Sequence, residues 1–291
     1  MSRRLALLVS ASEDGCVAIA TLPSGIELCY ESFGDPADPT VLLMHGLGSQ
    51  LLLWEEDFCR LLVREGFRVV RYDHRDSGLS TAMSLGASYD LSDMALDAVG
   101  LLDHLGVESC HAVGLSLGGM VAQTLAVEHR ERCRTLVSMA STTGRRDIGR
   151  PTTAVLKALL SSPSGDIDDA VEKDLRDRRM WASVWHDDDH ARAVFGSYHA
   201  RCRQSAAAYE RQRLAVMLAG DREEALATIT TPTLVLHGSK DTLITPEAGE
   251  RTAKVIPGAF LRIVEGWGHD LAPGAWTELV GSIVSHCRAH P

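Results

Sequence analysis

Apolar runs and helical stripes alternate along this chain. Residues 16–22 and 26–32 read as two strands, and Pro23-Ser24-Gly25 between them is a turn signal that fits a hairpin. Residues 40–44 are almost wholly apolar, the pattern of a strand covered on both faces. A helical stripe over 52–65 stops at Gly66, and 67–71 supplies another strand. Residues 91–105 form an amphipathic helix ending at Gly106. Then come a strand at 109–113, a helix at 117–129 and a strand at 135–139. The alternation fails after Ala140. Residues 142–221 are charged, alanine-rich and helical in pattern, with turns near Pro151 and 161–165. It resumes with a strand at 233–236, a helix at 246–255, a strand at 260–264 and a last helix at 275–289.

Such alternation implies a mostly parallel, eight-stranded α/β sheet with helices on both faces. The helical block falls after the sixth strand, so it is an insertion into one sheet domain. The expected division is a core of 16–141 and 222–291, with 142–221 as a helical cap. Residues 1–15 imitate a signal peptide, but the apolar run Leu5–Val9 is short and turns polar at Ser10. They are expected to be a flexible extension of a cytoplasmic protein.

Composition narrows the partners. The chain has 291 residues and a net charge of −10, with no long basic run, so nucleic acid is not an expected partner. No apolar stretch is long enough to span a bilayer. The seven cysteines are odd in number, widely spaced and without a C-x-x-C, which reads as buried thiols in a reducing compartment.

The candidate chemistry sits at strand ends. Gly114-Leu115-Ser116-Leu117-Gly118 matches G-x-S-x-G at the junction of an expected strand and helix, where a serine is held on a strained turn above the sheet. A serine hydroxyl needs a base, itself oriented by a carboxylate, in the chain order Ser, Asp, His. Asp241 follows the strand at 233–236, and His269 follows the strand at 260–264. Asp270 and His237 are rivals, the first adjacent to His269 and the second out of order. The oxyanion donors are expected to be the backbone N–H groups of Leu117 and of Leu47, the latter in the loop His45-Gly46-Leu47-Gly48.

With these segments on the page, the chain resembles bacterial α/β-hydrolase esterases of the aclacinomycin methylesterase type and related mycobacterial lipase/esterase-like proteins. The resemblance rests on VLLMHGLGSQLLLWE (41–55), RYDHRDSG (71–78), GLSLGGMVAQ (114–123), LHGSKD (236–241) and GWGHD (266–270). It implies the α/β-hydrolase fold, hydrolysis without a cofactor, a helical cap over the site, and Ser116, Asp241 and His269 as nucleophile, acid and base. RYDHRDSG reads as structural, its charged residues pairing with one another.

His186 and His190 have the i, i+4 spacing of metal ligands, but no third ligand is evident, so no metal is expected. Gly46, Trp54, Trp185 and Trp267 are the candidates for the substrate pocket. The reading is a carboxylic ester hydrolase working through an acyl-enzyme on a small apolar or mixed ester, as a monomer or homodimer. Lactone opening, acyl transfer or carbon–carbon hydrolysis on the same triad, or ligand binding without turnover, are the alternatives.

Overall fold

The computed structural model describes residues 17–160 and 166–291. The expectations for residues 1–15 and for the turn at 161–165 lie outside the described residues. The strands are β1 (Ala18–Thr21), β2 (Glu27–Phe33), β3 (Thr40–Met44), β4 (Arg68–Tyr72), β5 (Cys110–Leu115), β6 (Cys133–Met139), β7 (Thr233–Gly238) and β8 (Phe260–Val264). The helices are α1 (Glu56–Arg64), α2 (Leu91–His104), α3 (Leu117–Glu128), α4 (Thr153–Leu160), α5 (Ile167–Arg178), α6 (Asp188–Arg201), α7 (Ala206–Ala219), α8 (Glu223–Leu226), α9 (Pro246–Val255) and α10 (Trp276–Arg288).

All eight strands form one sheet in the order β1-β2-β4-β3-β5-β6-β7-β8. The β1–β2 hairpin and its pairing with β4 are antiparallel. Every other pairing is parallel. The parallel register aligns Met44 with Gly114 and Leu115 with Met139, so the loops that follow β3, β5 and β6 open on one edge. Ligands of open parallel sheets bind at that edge.

Strands β3, β4, β5 and β7 are buried at every position, which explains why apolar residues dominate them, with Arg68, Arg71, His111 and His237 as buried exceptions. Val41 and Leu43 face one apolar core, with α1 and α10, while Leu42 and Met44 face the other, with α2 and α3. Between β6 and β7 the chain runs through α4 to α8 and adds no strand among the described residues.

One expected element is different. The helix at 52–65 divides into a 3₁₀ turn, Leu51–Leu53, and α1. Two buried contacts break the stripe. Asp73 accepts the Leu51 N–H at 2.7 Å, and the Arg71 guanidinium takes the Trp54 carbonyl. A carbonyl held that way is lost to the helix ladder.

Candidate active site

Ser116 sits between β5 and α3 with φ 58° and ψ −117°, a backbone conformation that costs a non-glycine residue about 1–3 kcal/mol. Close packing enforces it. Its N–H donates to the Met139 carbonyl at 2.9 Å, and its carbonyl accepts from Ser141 Oγ at 2.8 Å. The flanking glycines are steric necessities. A Cβ at Gly114 would overlap the Gly118 carbonyl, and one at Gly118 would overlap the Met44 carbonyl. One at Gly119 would come within 2.7 Å of Ser141 Cβ. Ser116 keeps partial exposure while its neighbours Leu115 and Leu117 are buried.

Asp241 and His269 meet in the loops after β7 and β8. His269 Nδ1 lies 2.7 Å from Asp241 Oδ2. The other carboxylate oxygen, Oδ1, accepts from the Leu243 and Ile244 N–H groups, each at 2.9 Å. Burial alone would raise the pKa of this carboxyl. The charge and hydrogen bond of His269, with His237 nearby, outweigh it and hold Asp241 down at about 2. The imidazole is fixed from behind as well: His269 N–H donates to the Trp181 carbonyl at 2.7 Å, and Arg178 Nη1 donates to the His269 carbonyl at 3.1 Å.

Asp270 is occupied elsewhere, and His237, though its Nε2 lies 3.5 Å from Asp241 Oδ2, is turned to a backbone carbonyl. Asp270 accepts from Ser183 N–H at 3.1 Å and Ser183 Oγ at 3.3 Å. His237 Nε2 lies 2.8 Å from the Ile244 carbonyl, and its ring is wholly buried at the end of β7.

Ser116, Leu117, Gly46, Leu47 and His269 border one cavity of about 390 Å³. Leu117 opens α3, where the first N–H groups of a helix have no intrahelical acceptor and the dipole is positive. The loop carrying Leu47 is braced by His45. Its Nε2 accepts the His74 N–H at 3.2 Å, so the proton is on Nδ1, which donates to the Gly46 carbonyl at 2.8 Å. Burial pulls the His45 pKa down to about 4 and keeps the ring neutral.

Three pocket candidates are displaced. Trp54 and Trp267 do not line the cavity: both are fully buried in the apolar core, and Trp267 Nε1 donates to the Asp270 carbonyl at 2.6 Å. Trp185 lies outside it, packed where Gly274 leaves room. Apolar bulk beside a glycine loop serves the core as readily as a pocket. The lining includes Met120, Leu159, Trp181, Val216 and Leu243 instead, residues that only the folded arrangement brings together.

The charged residues of RYDHRDSG do not pair with one another. Arg71 bonds Glu31, and Arg75 takes Asp97 of α2. Asp73 and Asp76 reach across to Arg201 and Arg211 of α6 and α7. His186 and His190 go to separate carboxylates, Asp188 and Glu55.

Residues 39–273 match the sequence model of the family described as alpha/beta hydrolase fold. The chain belongs to the α/β-hydrolase family. This hydrolase is 29% identical over 290 residues to rhodomycin D methylesterase DauP of Streptomyces sp. (strain C5), covering 91% of its own chain and 96% of DauP. It is 30% identical over 244 residues to the putative carbamate hydrolase RutD of Variovorax paradoxus (strain S110), covering 83% and 89%. The esterase RhEst1 from Rhodococcus sp. ECU1013 shares the fold of the hydrolase with a TM-score of 0.80 at 22% identity, over 94% and 99% of the two chains. The expected esterase-type family and eight-stranded fold are thus borne out.

Proposed function

We propose that this hydrolase cleaves carboxylic esters through an acyl-enzyme on Ser116. The observation that carries the reading is the 2.7 Å contact of His269 Nδ1 with Asp241, with His269 bordering the same cavity as a serine on a strained strand-to-helix turn. That contact directs Nε2 as the proton acceptor, and the buried carboxylate stabilises the imidazolium that forms. Ser116 Oγ attacks the ester carbonyl and His269 takes its proton. The Leu47 and Leu117 N–H groups bind the oxyanion. The alkoxide then leaves with the proton from His269, and water, deprotonated by the same ring, releases the acid. Residues 142–221 act as a cap that closes the cavity over Ser116; the methylesterase and esterase relatives support this choice of substrate class. Buried free thiols at Cys29, Cys59, Cys110, Cys133 and Cys287 fit work in the reducing cytoplasm.

Hydrolysis of p-nitrophenyl acetate and butyrate tests the reading, together with labelling by a fluorophosphonate. Ser116→Ala should lose both turnover and label while its thermal midpoint stays within a few degrees of the parent. Retained turnover in that variant would overturn the assignment.

A further inference from the structure

The cavity beside Ser116 is charged in one sense only. Arg145, Arg146, Arg150, Arg178 and Arg222 border it, and among the described residues no aspartate or glutamate does. The chain as a whole carries −10, so this concentration of cations runs against its average. Most arginines of the helical region have partners: Arg201 has Asp73, Arg211 has Asp76, and Arg145 has Asp147 and Glu223. Arg178 lies over the Phe195 ring and holds the His269 loop.

Arg222 is different. It lies just past α7, and its own N–H donates to the Thr143 carbonyl at 2.9 Å. Its Nη2 donates to the Thr142 carbonyl at 2.6 Å and its Nη1 reaches the Met120 carbonyl at 3.4 Å, while Nε is buried without an acceptor. No carboxylate lies within ion-pair distance of it among the described residues. Burial pulls its pKa down to about 10, which still leaves it charged at neutral pH. A buried unmatched donor is costly, and the nearest carboxylate to act on this cation, Asp221, raises its pKa by less than burial lowers it. Gly144, whose Cβ position would lie 3.7 Å from Arg222 Nε, opens the segment that carries Arg146 and Arg150. Arg150 lies near enough to Asp147 to help lower the pKa of its carboxyl, but Asp147 is bonded to Arg145.

The position of Arg222 relative to the nucleophile sets the ligand. Met120, which it touches, is one turn of α3 beyond Ser116, and its N–H donates to the Ser116 carbonyl at 3.1 Å. Four residues rise about 6 Å, and Arg222 Nη1 stands a further 3.4 Å from the Met120 carbonyl, a span that suits about three or four methylenes between two carboxyl carbons. We infer that the Arg222 end of the cavity, with Arg146 and Arg150, is an anion subsite, and that the preferred substrate is an ester whose acyl chain ends in a carboxylate, a half-ester of a short dicarboxylic acid. The inference rests on the ester-hydrolase reading above. The apolar wall takes the methylene spacer, the guanidinium supplies charge-assisted hydrogen bonds to the free carboxylate, and the ester carbonyl is left at Ser116. Water and the half-ester give the dicarboxylate, the alcohol and one proton.

Proton release from ethyl hydrogen glutarate and ethyl hydrogen adipate, set against ethyl pentanoate and ethyl hexanoate, measures the preference. Wild type should favour the half-esters in kcat/KM by at least about 10-fold. In Arg222→Met that ratio should fall by at least about 10-fold, through KM, and Arg222→Lys should recover part of it. Neutral esters turned over with no preference for half-esters would overturn the subsite, as would an unchanged ratio in Arg222→Met. Wild type inactive on both series would strike the ester-hydrolase reading instead. Binding of adipate to Ser116→Ala by calorimetry then decides the subsite separately: binding lost in Ser116→Ala with Arg146→Gln and Arg150→Gln supports it, and equal binding overturns it. The same calorimetric comparison serves if Arg222→Met does not fold.

Discussion

The sheet and the helical block between β6 and β7 meet at the cavity, and they are held in place by different balances of volume and charge. Leu42, Leu43, Val69, Val113 and Leu136 in the sheet are fully buried among apolar side chains, so shape and volume fix them. The helical block also contributes Val171, Leu175, Phe195 and Tyr198 to the apolar core, but directional polar contacts add to its seating. Arg201 reaches Asp73 at 2.7 Å, and Arg211 takes Asp76 with two bonds of 2.8 Å. Gln212 Nε2 donates to the Arg75 carbonyl and to Ser77 Oγ, and Gln204 Nε2 donates to the Asp76 carbonyl. All these contacts land on one short ledge, residues 73–77, after β4. Ser116 therefore belongs to the part that volume fixes, while the far wall of its cavity belongs to a part held by charge as well as by volume. A change in substrate preference can arise through the second without disturbing the first.

The largest effect expected on the sheet side comes from Gly118→Ala. Its Cβ would overlap the backbone of Met44 and His45, which no rotamer change relieves. The cost should exceed about 4 kcal/mol, beyond what a marginally stable domain tolerates in one substitution. Recovery of soluble, cooperatively unfolding protein by urea titration would contradict the close approach of α3 to β3. On the other side of the comparison, Arg201→Met removes the cation from Asp73, which is fully buried and keeps only the Leu51 and Leu79 N–H donors. An uncompensated buried carboxylate costs about 3–5 kcal/mol. Limited proteolysis should show cleavage confined to residues 142–221 before the sheet unfolds. Simultaneous loss of both regions would mean that the block is not separately seated.

These two regions were unequally legible in the sequence. The hairpin, the serine turn and the addresses of Asp241 and His269 could be read because each depends on local rules: apolar runs, glycines that backbone contact demands, and chain order across successive strand ends. The wall of the cavity could not be read that way. Trp54 and Trp267 are large and lie near the glycine loops in sequence, and Trp185 lies in the helical block, yet their rings face the core or a neighbouring loop. Arg222 and Trp181 come to the cavity from segments about 40 residues apart, and neither carries a sequence pattern that says which way its side chain turns. The charges of RYDHRDSG were visible, but their partners Arg201 and Arg211 are more than 120 residues away.

Acid titration separates the two regions by a different route. His45, on the sheet side, has its pKa held down at about 4 by burial, against about 6.5 for a free imidazole. Between these values the unfolded chain binds a proton that the folded chain refuses, so stability is full above pH 6.5 and falls as the pH drops towards 4. The loss attributable to this one ring is about 3 kcal/mol across that window. His45→Gln keeps a donor for the Gly46 carbonyl and removes the titration. Its urea-derived stability should therefore fall less between pH 7 and pH 4.5 than that of the parent. Parallel curves for the two proteins would place the acid sensitivity elsewhere, with His74 and His111, both also depressed by burial, as the next rings to substitute.

The smallest expected effect is the most local test of the seam. The segment between α5 and α6 grips the His269 loop chiefly through backbone: Trp181 carbonyl to His269 N–H, Val184 N–H to Gly266 carbonyl, and Ser183 N–H to Asp270. Only one of the Ser183–Asp270 bonds uses the serine side chain, at 3.3 Å. Ser183→Ala removes that bond and leaves the backbone donor in place, so Asp270 is not orphaned. The stability cost should be about 1 kcal/mol, the usual net worth of one hydrogen bond, and kcat/KM on a neutral ester should change less than about threefold. Backbone contacts survive side-chain replacement, so the position of His269 should depend on where this segment runs and little on which side chains it carries. A large fall in kcat in Ser183→Ala, with the thermal midpoint unmoved, would show that the side chain of residue 183 sets the imidazole, and that the seam is tuned by sequence where its geometry says it is tuned by path.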